Sequence, residues 1–208
     1  MPTRNLSMRP FRSSFLNVEK DTNTIIKKLF VESKPYSDIL KRLLVIPSAD
    51  CLDNTENEVY KEAVAKATPA WLKKNNFIVT VPRVPLKEFE EKKSYILISF
   101  DNFIETATNP EYRDCVIAID VISHIDIWDL GNYRLRPLRI AGYIDGILNN
   151  NRLSGIGLLQ FLGCNMIHLN ENLSGYTLLY QAVHGIDDKI PEVDDVKPQK
   201  WENIPRDR

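Results

Sequence analysis

Cysteine is scarce in these 208 residues: only Cys51, Cys115 and Cys164 occur, and no two of them form a C-x-x-C pair. That excludes a disulfide framework and a structural zinc site, and it predicts a reducing interior as the working environment. Long apolar runs are missing too. No stretch approaches the roughly 18 apolar residues of a membrane span, and Arg4, Arg9 and Arg12 are not followed by the apolar core of an export signal. The chain is therefore expected to be soluble, unexported and without a membrane partner. Dominant charge is absent as well: 27 Lys and Arg nearly cancel 28 Asp and Glu, so the protein as a whole lacks the pull toward nucleic acid or anionic lipid that a basic domain has.

What is present is ordinary for a globular chain. With 43% hydrophobic and 26% charged residues, it can bury a real core in one domain with an extension, or in two small ones. Charge is distributed unevenly. Residues 1–42 hold nine Lys or Arg against four Asp or Glu, a net of +5, which leaves −6 for the remainder. Residues 1–20, with Pro2, Pro10 and no periodicity, read as a basic arm in which Arg4, Arg9 and Arg12 are placed to meet an acidic partner, protein or phosphate; a solvated face is the plainer reading.

Residues 21–76 read as a helical N-terminal region. Asp21 and Thr22 are expected to cap a helix with Ile25, Ile26, Leu29 and Phe30 at helical spacing, ended by Pro35. Ser37 precedes a second helix carrying Ile39, Leu40, Leu43 and Leu44, and Thr55-x-x-Glu58 has the pattern of a capping box for a third that closes near Pro69. These apolar stripes are too narrow for a free-standing bundle, so the helices should lie on another surface.

From residue 77 to 185 the apolar period falls from 3.6 to 2, which predicts a sheet domain. Strands are expected over 77–81, 95–100, 115–127, 158–169 and 176–184. Pro82 and Pro85 confine 82–93 to an edge or a charged connection, and 101–112, with Asp101, Asn102 and Glu105, reads as a projecting hairpin loop. Between 115 and 127 the odd positions are apolar except Ser123, so one face is buried and the other wet. A helix is predicted over 137–148, entered through a crossing that carries Arg134, Arg136 and Arg139. Cations at a helix N-terminus oppose its dipole at about 0.3–1 kcal/mol each, so these arginines should find acidic partners within the chain or across an interface. Residues 186–208 read as an acidic extended tail that docks on a neighbour through Trp201.

The expected fold class is α+β: an antiparallel sheet with one long helix packed on it, preceded by the helical N-terminal region. That helix covers about half the face, and the N-terminal helices or another subunit must cover the rest.

Three segments carry a resemblance: the long hairpin 95–127, the amphipathic helix 137–148 behind its Arg-rich crossing, and the closing strand Ser174-Gly-Tyr-Thr-Leu-Leu-Tyr180. Together they resemble the tail terminator and head–tail joining (neck) proteins of long-tailed bacteriophages, over about residues 90–185. The additional helical front departs from the small terminators and points to a neck position such as an adaptor between portal and tail. The resemblance implies a non-enzymatic virion protein, made in the host cytoplasm, that assembles as a ring, commonly six-fold, at the head-proximal end of the tail. Its partners would be other copies and the portal, neck or tail-tube proteins, with DNA only as passing cargo and no cofactor. Arg134, Arg136, Arg139, Asp101, Asn102, Glu105 and Trp201 are the expected subunit contacts, and the opposite charges of arm and remainder suit a heterologous interface.

An enzyme is the alternative. Asp101, Glu105, Asp120, Asp126 and Asp145 are the acids from which a metal-dependent nuclease would be built, since phosphodiester cleavage needs clustered carboxylates around a divalent cation. Solvent-facing strand acids are the commoner explanation, and no lysine completes a nuclease pattern. His124, His168 and His184, with Cys115 and Cys164, lack metal-ligand spacing. Gly155-Ile-Gly157 has neither the third glycine nor the flanking elements of a dinucleotide site and reads as a bend. No serine elbow or Cys/His signature is present.

Overall fold

The computed structural model describes residues 18–80, 91–106 and 109–184, less the side chains at 105, 106, 109–112, 183 and 184. The arm with Arg4, Arg9 and Arg12, the side chain of Glu105, and the tail with Trp201 therefore lie outside the described residues.

Helix α1 (Val18–Lys27) continues into a π-helical turn, Lys28–Glu32. It starts earlier than its sequence suggests: Asp21 and Thr22 are inside it and buried, and Thr22 Oγ1 donates back to Val18 O at 2.8 Å instead of capping a helix end. α2 (Tyr36–Val45) buries Leu40, Leu43 and Leu44. α3 (Glu58–Lys66) is capped by Asn57, whose Oδ1 accepts from the N–H groups of Val59 at 3.0 Å and Tyr60 at 3.4 Å. The cap expected at Thr55 is thus displaced by two residues, because Asn57 already satisfies the donors of the first turn. Pro69 opens a new helix, α4 (Pro69–Lys74), with Thr68 as its cap; a proline in the first turn has no N–H to leave unpaired.

Five strands form the main sheet in the order β1 (Ile78–Val79), β2 (Ser94–Thr106), β3 (Asn109–His124), β7 (Leu173–His184), β6 (Gln160–His168). Only β1 runs parallel to its neighbour. The hairpin of β2 and β3 is paired almost to its tip, so most of the loop expected over 101–112 is strand. The ladder is interrupted near Asp101, where Asn102 takes a left-handed φ of 54° and donates its N–H to Asp101 Oδ1. In β3 the alternation holds through Cys115, Ile117, Ile119 and Val121, all buried. It stops at His124. Ile125–Ile127 is a 3-10 turn with Ile125 53% exposed, because His124 Nδ1 accepts the Asp126 N–H at 3.2 Å and turns the chain out of the ladder.

One face of the sheet is covered jointly. α5 (Arg136–Leu148) buries Ile140, Ile144, Ile147 and Leu148 in the same apolar cluster as Ile117 and Ile119 of β3, and Leu29, Leu40 and Leu43 of the helical front belong to it too. The fold is α+β, with the front and α5 sharing the face. Tyr95, Ile122 and Leu173 form a separate small cluster. A two-stranded ribbon, β4 (Arg152–Leu153) with β5 (Gly157–Leu158), links α5 to β6. In β7, Gly175 lies against β3 so closely that a Cβ there would sit 1.8 Å from Val121 O.

Candidate functional site

The Arg-rich crossing was expected at the surface, and the structure divides its three arginines among different tasks. Residues 129–135 form a tight loop closed by an isolated bridge between Asp129 and Leu135 and by the Leu130 N–H donating to Arg134 O at 2.9 Å. Arg134 fixes it from the side. Its Nη1 and Nη2 donate to the two carboxylate oxygens of Asp53 at 2.9 and 2.5 Å, and Nη2 also reaches Leu130 O at 3.1 Å. The acidic partner expected for this arginine is therefore within the chain, and the guanidinium holds the Asp53 carboxyl below its ordinary range.

Arg136 is the correction. It is fully buried, so it is not part of an exposed contact surface. Nε donates to Ile127 O, Nη1 to Leu43 O and Ile46 O, and Nη2 to Ser48 O, each at 2.7 Å. Leu43 and Ile46 lie at the C-terminal end of α2, where carbonyls have no helical partner and the dipole is negative. The cation that opposes the start of α5 thus neutralises the end of α2. Burial lowers the pKa of Arg136 and raises that of the Cys51 thiol beside it. Backbone carbonyls, with no carboxylate, make this placement tolerable.

Arg139 does face solvent. It lines a shallow groove of about 530 Å³ with Tyr133, Arg134, Leu135, Leu138, Gly142 and Tyr143. Tyr133 is fully exposed and has φ 58°, following Gly131 at 73° and Asn132 at 51°; a bulky residue in the left-handed region is strained. Tyr36 of α2 comes within 6.2 Å of Tyr143, ring centre to ring centre. Aromatic rings, Leu138 and two arginines make a surface suited to a protein partner. The sequence showed the arginines of this surface. It did not show the aromatics, whose grouping comes from the fold, although the run Gly131-Asn-Tyr133 marked a turn.

Among the described residues the acids of the nuclease alternative do not converge. Asp120 accepts from Thr177 Oγ1 at 2.5 Å across β3 and β7, whereas Asp126 sits beyond the strand, paired with Lys92 at 2.8 Å, which lowers its pKa. Asp101 is spent on the backbone of Asn102, and Asp145 accepts from Tyr180 Oη at 3.0 Å. Cys115 lies opposite Ala182 and Cys164 opposite Leu178, on either side of β7, and His168 Nδ1 bonds Ser174 Oγ at 2.9 Å. Among the described residues no three His, Cys, Asp or Glu side chains stand close enough to hold a metal ion.

The YomW family model matches residues 37–182, from α2 to the end of β7. The chain belongs to the YomW family. That family is phage-associated. No curated protein matches the sequence. Among solved structures, a chain of the virion of a native gene transfer agent particle is 20% identical with a TM-score of 0.38, covering 62% of this chain and 92% of that one. A crystal structure from Akkermansia muciniphila is 14% identical with a TM-score of 0.29, covering 86% of this YomW chain and 100% of its own.

Proposed function

We propose that this YomW protein is a structural component of the phage virion that forms a ring in the neck or tail-terminating region and joins head to tail. The observation that carries the reading is membership of a phage-associated family over residues 37–182, from α2 through nearly all of the sheet. Two surface features agree with it. The groove around Arg139 offers aromatic and aliphatic contacts to an adjoining ring, and strand β6 at one side of the sheet is exposed almost throughout.

Negative-stain imaging and native mass measurement of the purified protein test the reading, together with detection of the protein in purified virions. Rings are expected, alone or on addition of portal or tail-tube partners. A strict monomer under all these conditions, or absence from the particle, overturns it.

A further inference from the structure

The groove of Tyr133, Leu138, Arg139 and Tyr143 is open among the described residues, and it has the chemistry to hold an acidic chain. Arg134 spends its charge on Asp53, whereas Arg139 is exposed and has no ion pair among the described residues. Leu138 is 44% exposed and Tyr133 wholly so. Next to the groove the outer face of α5 is bare: at Gly142 and Gly146 an added Cβ would meet nothing within 4 Å. Glycine weakens a helix interior, and no packing among the described residues calls for it at these two positions. A second stretch of chain can therefore approach the helix backbone there.

Two ends of this chain are candidates to lie on that surface, and charge separates them. Residues 1–17 carry Arg4, Arg9 and Arg12 with no acid, so the groove's arginines disfavour the arm. Residues 187–195 carry Asp187, Asp188, Glu192, Asp194 and Asp195 against Lys189 alone, a net of −4, and Trp201 follows as an aromatic anchor. The place where the tail begins also fits. β7 and α5 run side by side in one direction: Trp128, before α5, meets Tyr176, and Asp145, near its end, meets Tyr180. His184 is four residues past Tyr180, about 14 Å along the strand, and Arg139 is six residues before Asp145, about 9 Å along the helix. Seven extended residues cover that return of about 23 Å. Glu192, Asp194 and Asp195 then stand level with Arg139, with chain to spare for Trp201.

We infer that the acidic tail, residues 187–201, lies in the groove of its own subunit, with its carboxylates on Arg139 and Trp201 against Tyr133, Leu138 and Tyr143. On the ring reading above, the docked tail shields this surface until an adjoining ring displaces it; that consequence rests on the ring reading, and the docking itself does not.

Photo-crosslinking of the full chain tests the docking. With benzoylphenylalanine in place of Leu138, irradiation of diluted subunits should join position 138 to residues 187–201 within one chain, at the monomer mass. Asp187→Asn, Asp188→Asn, Glu192→Gln, Asp194→Asn and Asp195→Asn together should lower the yield about fivefold, as should salt at about 1 M. Absence of any crosslink to the tail overturns the inference, as does a yield indifferent to the five substitutions. Crosslinks formed only between chains overturn it in favour of tails exchanged between copies. Should the probe disturb folding, the chain without it still decides: phenylglyoxal should modify Arg139 about threefold faster in the neutralised variant than in wild type, and equal rates overturn the docking. Wild-type protein that shows the tail contact and never forms rings removes only the ring reading; rings without the tail contact remove only the docking.

Discussion

Arg136 shows how one side chain can decide the arrangement of a molecule. Four carbonyls from two stretches of chain, 43–48 and Ile127, depend on it, and the charge is out of water. Arg136→Ala should cost about 3–5 kcal/mol, the scale of breaking a buried charged contact, as measured by urea unfolding. Arg136→Lys should recover only part of that, because an ammonium cannot span the acceptors that a planar fork reaches. Tyr133 makes the opposite prediction. Its left-handed backbone costs an L-residue about 1–2 kcal/mol, and asparagine tolerates that region better. Tyr133→Asn should therefore raise thermal stability, while removing a ring that a partner would grip. A lowered melting temperature would contradict this. Asp53 gives a pH signature. Because Arg134 depresses its folded pKa, the stabilisation is fully present above the unfolded value of about 3.9 and disappears as pH falls through the lower folded value. Wild type should exceed Asp53→Asn in stability at neutral pH and converge with it as pH falls through the depressed folded value in urea titrations; a gap that widens on acidification would be inconsistent with the pair.

Among the elements, legibility in the sequence followed the range of the interactions involved. The apolar alternation of β3 and the start of α5 at Pro137 were readable because each depends on near neighbours. The burial of Arg136 was not, since its acceptors Leu43, Ile46 and Ser48 lie 93, 90 and 88 positions away. Nor was the exposure of β6, whose Phe161, Leu162 and Met166 have the composition of a core strand; its place at the edge is a fact of strand order. The hairpin loop was overestimated because Asp101, Asn102 and Asn109 look like turn residues, although the structure absorbs Asp101 and Asn102 in a ladder irregularity. One close approach between strands carries its own test. Gly175→Ala places a methyl on Val121 O and should force β3 and β7 apart locally, at about 3 kcal/mol or more, read by thermal unfolding and by faster amide exchange around Ile122.

For the whole molecule, the surfaces divide between two directions. Exposed β6 closes one side of the sheet, and the groove beside α5 is a separate surface. Arg139→Glu combined with Leu138→Glu should change stability by no more than about 0.5 kcal/mol, as exposed substitutions do, and leave ring mass unaltered. Co-sedimentation with portal or tail-tube protein should fall. If the variant binds those partners as tightly as wild type, the groove is not their contact.

The guanidinium that joins the end of α2 to the beginning of α5 also sets the mechanics of the subunit. The helical front cannot swing away from the sheet one bond at a time, because the same planar group grips both. A push on either end is carried through that group as by one stiff block.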